Sequence, residues 1–384
     1  MIINVKSSTA LSGFYIIFEG STMNEKNGHR GLSHLCEHLI CKSFEHLQNV
    51  FQQKNIKWNA YTGNSEVVFF MRGLDRHINT HKKEFLDLIL SYEPTQEQLD
   101  NEKKIVLEEY KKRFNSQVDS HYLNLQRKMF NYYSAIGLRS DIENFTLKDC
   151  KDYLKKFYKK PTRIINISKF NDFEHPVKFR KQIIPKPFEI KNYTNLHIIK
   201  SDDNTLVPKG MIPLEIINEY KNKVSIINFS PVIKEKFNYV QFLCEMLGSG
   251  LNSPLYKEVR EKLGLVYNID CSNDALNEKS SMIIISTDTS NKNIEIVQKQ
   301  IKYVLENKEK FLTQERFDII KEQYLTKIEE SEILNYASIR KYIDPDEWLV
   351  ESIINKITLQ DVYDIVDQYL VWDRMYKSVD KTEF

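Results

Sequence analysis

The five residues His34-Leu35-Cys36-Glu37-His38 carry the most specific chemistry in the chain. At about 3.6 residues per turn, His34 and His38 fall one turn apart on the same face of a helix. Two imidazoles so placed can ligate one zinc ion through ring nitrogens. Glu37, three residues after His34, shares that face and can stand beside the metal without ligating it. A bound metal makes a coordinated water acidic, and Glu37 is suited to take its proton as the oxygen attacks a peptide carbonyl. The bland alternative is a pair of helix histidines and a solvated glutamate. With nine histidines in the chain, the pattern arises by chance in roughly a few per cent of such sequences.

A catalytic zinc site needs three protein ligands and an open position for water. No third histidine stands in a suitable context, but Glu109 follows the apolar run Ile105-Val106-Leu107. Glu102 lies two helical turns earlier on nearly the same face. Glu109 is the candidate third ligand, and Glu102 a second carboxylate that orients a ligand. Glu108 is a rival for the ligand role, and all three could be solvated helix glutamates. Cys36 points off the histidine face, so the four-ligand, cysteine-containing pattern of structural zinc is not met.

These residues need elements to hold them. Phe14 to Phe18 alternate as a buried strand, and Gly20, Gly28 and Gly31 punctuate the loop that follows. A helical pattern then runs from Leu32 to about Val50. The turn at Gly63-Asn64 precedes a strand through Val67-Val68-Phe69-Phe70. Thr95, with Gln98 at the capping-box position and Pro94 before it, predicts a helix start, and the helix continues past Tyr110. Arg163 to Ser168 reads as a strand.

The second half repeats this order. Val224 to Pro231 is strand-like, a helix carries Phe242-Leu243-Cys244-Glu245-Met246, and a strand is expected around Val266 to Ile269. Phe242 to Met246 echoes His34 to His38 with both histidines replaced, so only the first copy can hold metal: one Zn2+ per chain. The expected organisation is an N-terminal zinc-binding catalytic domain over 1–180, a linker over 181–195 with Pro185 and Pro187, and a related domain over 196–384.

The bulk composition narrows the classes. The 55 basic and 53 acidic residues nearly cancel, which argues against a nucleic-acid binder working by bulk charge. Five scattered cysteines without a CxxC pair are no disulfide framework. The N-terminal stretch lacks a signal-peptide or presequence pattern, and no run of 18 apolar residues occurs. A cytoplasmic protein without membrane or nucleic-acid partners is the expectation.

GLSHLCEHLI (Gly31 to Ile40), WNAYTGNSEVVFF (Trp58 to Phe70) and NEKKIVLEEY (Asn101 to Tyr110), in that order, resemble the pitrilysin/insulinase family of inverzincin zinc peptidases. The length is that of its short form, similar to a mitochondrial processing peptidase subunit. The resemblance implies ligands at His34, His38 and Glu109, the base at Glu37 and a supporting acid at Glu102. It implies an α+β fold of two related domains, each a mostly antiparallel sheet with helices packed on one face. LGSGLNSPLYKEVREKLGLVYNI (Leu247 to Ile269) resembles the family's substrate-binding segment, which assigns Arg260 and Tyr267 to substrate binding and to charge on the tetrahedral intermediate. Asn59 and Ala60 match the family's edge strand beside the zinc, which pairs with substrate backbone. One departure is visible: His38 and Glu109 stand a few residues closer than is usual in the family.

The implied activity is that of a zinc metalloendopeptidase acting on peptides or unfolded polypeptide. The alternative is a partner-dependent or non-catalytic subunit of a processing complex. Long family members fuse two such halves, with the metal motif and the Arg/Tyr segment in opposite halves. This chain carries both, so the expected partner is a second copy in a two-fold homodimer, or a related subunit in a heterodimer.

Overall fold

The computed structural model describes residues 1–114, 117–130, 133–181, 197–198, 223–233, 237–277, 280–331 and 351–381. They divide into two compact units, Met1–Tyr110 with Tyr133–Lys186 and Glu330–Pro345, and Lys111–Tyr132 with Pro187–Glu329 and Asp346–Phe384. Of the linker expected over 181–195, all but Lys181 lies outside the described residues.

In chain order the first unit begins with β1 (Ile2–Lys6), β2 (Leu11–Phe18), α1 (Leu32–Cys41), α2 (Gln48–Gln53), β3 (Lys57–Thr62), β4 (Val67–Leu74) and α3 (Asp75–Ser91). α4 (Gln96–Phe114) belongs to it as far as Tyr110, and α5 (Gln117–Phe130) belongs to the second unit. α6 (Arg139–Asn144), α7 (Leu147–Phe157) and β5 (Arg163–Ser168) complete the first unit's regular elements.

The sheet order is β1-β5-β2-β4-β3, antiparallel except for the parallel β1–β5 pair. β2 lies at its centre because both of its faces are apolar: Phe14 through Phe18 are all essentially inaccessible. On one face Tyr15 and Ile17 join Val68, Phe70, Ile165 and Ile167. On the other, the Phe18 ring meets Phe69 at 6.0 Å and Tyr158 at 5.2 Å. Each such buried side chain contributes about 1.5–3 kcal/mol relative to an exposed one. β3 is left as an edge strand.

α1 starts at Gly31, whose φ of 98° is a left-handed conformation. A Cβ there would stand 3.1 Å from the Gly137 backbone, so glycine is required by both torsion and space. The Glu25 carboxylate accepts from Gly31 N at 3.0 Å and Ser33 N at 2.8 Å, satisfying donors that a helix N-terminus leaves open. The helical stretch expected from Leu32 to about Val50 is built in three pieces: α1, a 3-10 turn over Lys42–Leu47, and α2. The tighter turn sets Phe44 against Phe85 at 4.5 Å and Trp58 at 5.1 Å while Leu47 and Phe51 also stay buried. α4 begins as the sequence predicts. Gln98 N donates to Thr95 Oγ1 at 3.2 Å, and Thr95 N donates to Gln98 Oε1 at 3.0 Å.

The second unit contains β6 (His197–Ile198), β7 (Lys223–Ile233), α8 (Phe237–Gly248), β8 (Ile269–Asn277), β9 (Ser280–Ser290), α9 (Ile294–Glu306), α10 (Lys308–Phe311), α11 (Gln314–Ser331), α12 (Glu351–Ile354), α13 (Leu359–Tyr369) and β10 (Tyr376–Lys381). Its sheet order, β6-β10-β7-β9-β8, repeats the first sheet strand for strand, including the one parallel pair, β6–β10. The two units are therefore copies of one α+β plan. The copying extends to the caps: Thr146 with Asp149 and Thr358 with Asp361 form identical capping boxes at the starts of α7 and α13. In this unit α5 packs on β7 and β9, on the face opposite the main core.

One expected strand starts later than the sequence pattern indicates. Val266 to Asn268 are irregular, and β8 begins at Ile269. The carbonyls of Leu265 and Asn268 accept from the hydroxyls of Thr289 (2.7 Å) and Thr287 (2.5 Å), side chains that replace ladder partners. Among the described residues, no helix is long and apolar enough to cross a membrane.

Candidate metal centre

α1 presents His34 and His38 one turn apart, their ring centroids 4.6 Å from each other. α4 brings Glu109 to both. Glu109 Oε2 stands 3.7 Å from His34 Nε2, and Glu109 Oε1 stands 3.7 Å from His38 Nε2. One donor atom from each of the three lies within 4.8 Å of the others. Ligand atoms about 2.0–2.2 Å from a zinc ion at roughly tetrahedral angles are roughly 3.3–3.6 Å apart. The nitrogen–oxygen separations are within a few tenths of an ångström of that spacing. Two imidazoles and a carboxylate are also a catalytic donor set rather than a structural one. The residues present thus fit a zinc ion.

Glu102 reaches the same histidine from behind, its Oε2 lying 3.1 Å from His38 Nδ1. This leaves Nε2 of the same ring turned toward Glu109. Glu102 is only 2% exposed, and its other oxygen pairs with Lys42 Nζ at 3.0 Å. Burial by itself pushes the Glu102 pKa up, but His38 and Lys42 outweigh it and hold the carboxyl below its ordinary value. At His38 burial disfavours the charged imidazole, yet Glu102, Glu109 and Glu37 together raise its pKa. The pocket is electrostatically prepared for a cation, whether a proton or a metal.

Glu37 is buried at the same place, and burial raises its pKa above the ordinary carboxylate range. Its Oε2 accepts a 2.6 Å hydrogen bond from Thr62 Oγ1, at the end of edge strand β3. Asn59 and Ala60 lie on that strand, Asn59 exposed and its Oδ1 accepting from Ala60 N at 2.9 Å. Cys36 turns into the core instead, its thiol 3.9 Å from the Cys150 carbonyl.

Arg260 and Tyr267 belong to the second unit, where each is near the other. The Arg260 guanidinium lies 5.4 Å from the Tyr267 ring and 4.5 Å from Tyr256. Tyr267 is 81% exposed on its irregular segment, not the core tyrosine that a strand position would make it. In the first unit the structure thus gathers His34, Glu37, His38, Glu102 and Glu109 at one point, with β3 alongside. Two neighbours of this cluster were not visible from the sequence pattern, Thr62 and Lys42. Both reach it through contacts between elements that spacing along one helix does not reveal.

Two family models match the chain: "Insulinase (Peptidase family M16)" over residues 2–137 and "Peptidase M16 inactive domain" over residues 146–324. The chain belongs to the M16, or insulinase, family of peptidases. It is similar to an uncharacterized zinc protease of Rickettsia felis, at 22% identity over 88% of this chain and 84% of that protein. It is also similar to the zinc protease PqqE of Helicobacter pylori, at 24% identity over 83% of this chain and 74% of that one. A solved protease structure from Helicobacter pylori shares the fold with a TM-score of 0.76 and 19% identity, covering 99% of this chain and 96% of the other.

Proposed function

We propose that the protein is a zinc metalloendopeptidase hydrolysing peptide bonds in peptides or unstructured polypeptide segments. His34, His38 and Glu109 would hold the ion, one per chain. The observation that carries this reading is the convergence of those three donors within 4.8 Å beside the buried carboxylate of Glu37. Zinc bound there supplies Lewis acidity, which polarises a carbonyl and makes water a competent nucleophile near neutral pH.

The chain's own groups do the remainder. Glu37 takes the proton from the attacking water and returns it to the leaving amine, a task helped by burial that raises its pKa above the ordinary carboxylate value. Thr62 anchors one oxygen of that carboxylate and leaves the other for the proton. Glu102 fixes the His38 ring so that Nε2 faces the ion. The exposed edge of β3 at Asn59 and Ala60 takes an extended peptide as an added strand, which demands little of its sequence. Arg260 and Tyr267 are assigned to substrate binding and to the negative charge that builds on the reacting carbonyl. A two-fold homodimer would let one copy supply them to the other.

The test is cleavage of an unstructured peptide by purified protein, abolished by a chelator and restored by added Zn2+. A zinc-loaded protein that cuts only when mixed with a related chain would support the partner-dependent subunit instead.

A further inference from the structure

Lys42 is the residue following α1, one turn beyond His38 and outside every motif that marks the site. Its ammonium lies 3.0 Å from Glu102 Oε1 and 3.0 Å from Glu45 Oε1. Glu102 is almost fully buried and spans two groups, His38 Nδ1 at one oxygen and Lys42 Nζ at the other. With Oε2 hydrogen-bonded to His38 and the Lys42 ammonium 3.0 Å from Oε1, rotation of the carboxylate about its last torsion is opposed by both partners. The ring it supports is then fixed in plane and in tautomer, with Nδ1–H toward Glu102 and the Nε2 lone pair directed at the ligand position.

We infer that Lys42 is a positioning residue for the metal centre: through Glu102 it orients His38 and thereby raises the site's affinity for zinc. This rests on the reading of His34, His38 and Glu109 as ligands. Without the ammonium, Glu102 Oε1 becomes a buried charged oxygen lacking a cation. Such a group turns toward water, and that movement releases the His38 ring. Glu45, the other partner of Lys42, has a 58% exposed side chain, so its pair is a surface contact of little consequence.

The experiment measures the zinc dissociation constant of the full chain by competition with a chromogenic chelator. Loss of an outer-sphere partner to a metal ligand typically weakens binding about 10–100-fold. Lys42→Met should weaken zinc binding by roughly tenfold, the lower end of that range. Lys42→Arg, which keeps the cation, should stay within about threefold of wild type, and Glu45→Gln should bind as wild type does. Apo-protein melting is followed in parallel, and Lys42→Gln is the substitute should Lys42→Met fail to fold. Wild-type affinity in Lys42→Met or Lys42→Gln, while Glu102→Gln is weakened, overturns the inference and leaves the ligand reading intact. Zinc binding unchanged by His38→Ala would instead overturn the ligand reading.

Discussion

Thr62 Oγ1 and Glu37 Oε2 are joined by a 2.6 Å hydrogen bond between the end of an edge strand and the helix that carries both histidines. The hydroxyl donates a hydrogen bond to the carboxylate, so the contact favours the ionised form and opposes the effect of burial. It also fixes where the free oxygen points. Hydrogen bonds to charged groups are worth about 1.5–3 kcal/mol, roughly tenfold or more in rate when lost from a catalytic base. Thr62→Val should therefore lower kcat by at least about tenfold with zinc content unchanged, and Thr62→Ser should recover most of it. Steady-state kinetics beside metal analysis decides this, and an unimpaired Thr62→Val would remove Thr62 from the account.

Glu109 and its neighbour Glu108 are adjacent glutamates on α4, but only Glu109 joins the three-donor group. Replacing a ligand carboxylate by an amide removes a charge and weakens a bond to a hard cation. Glu109→Gln should lose zinc affinity by more than about 100-fold, while Glu108→Gln should bind zinc as the parent does. Equal losses in the two variants would mean that the donor set is assigned to the wrong residue.

His121 offers a test of the second unit that is independent of the metal. Its ring is fully buried, with Nδ1 2.9 Å from Ser225 Oγ and Nε2 2.7 Å from Ser378 Oγ, tying α5 to β7 and β10. Burial lowers its pKa to about 3, from an ordinary 6.5. Above pH 6.5 the imidazole is neutral both folded and unfolded, and its contribution to stability is complete. As pH falls below 6.5 the unfolded chain takes up a proton that the folded one refuses, so stability is lost progressively down to about pH 3, by about 1.4 kcal/mol per pH unit. Chemical unfolding at pH 7 and pH 5 should show a larger drop for the parent than for His121→Gln. Parallel pH profiles would show that the ring titrates normally in the fold.

Sharing of residues between copies leads to a complementation experiment. Glu37→Gln removes the proposed base of its own copy, and Tyr267→Phe removes one exposed hydroxyl from the second unit. If two copies exchange these parts, mixed dimers regain one intact site, and activity rises to at most roughly a quarter to a half of the parent's. Size-exclusion chromatography with light scattering checks the dimer. No gain on mixing, with dimers confirmed, would confine each site to one chain.

The legible parts of this molecule were those whose logic is local. The one-turn spacing of His34 and His38, the Thr95–Gln98 capping box and the doubly apolar β2 are all periodic or short-range features. In the sequence the internal duplication showed as a repeated strand-to-helix order and as the echo of His34 to His38 in Phe242 to Met246. Its fuller traces, Thr-Gln-Glu at Thr95 and Thr313 and Thr-Leu-x-Asp at Thr146 and Thr358, become recognisable once both sheets have the same strand order. Thr62 and Lys42 were not legible, because their partners lie across element boundaries. Tyr267 was misplaced in a strand because Val-Tyr-Asn-Ile has strand composition. The Thr287 and Thr289 hydroxyls that satisfy the nearby carbonyls come from β9, some twenty residues away in sequence.

The measurement that bears most directly on the central claim compares the parent protein with Glu37→Gln on a mixed library of unstructured peptides. Cuts are mapped by mass spectrometry, and zinc content is determined on the same samples. The expected result is cleavage at many extended sites by the parent and none above background by Glu37→Gln, with about one zinc bound per chain in both. A zinc-loaded parent that leaves the library intact, or a Glu37→Gln protein that cuts as the parent does, would contradict it.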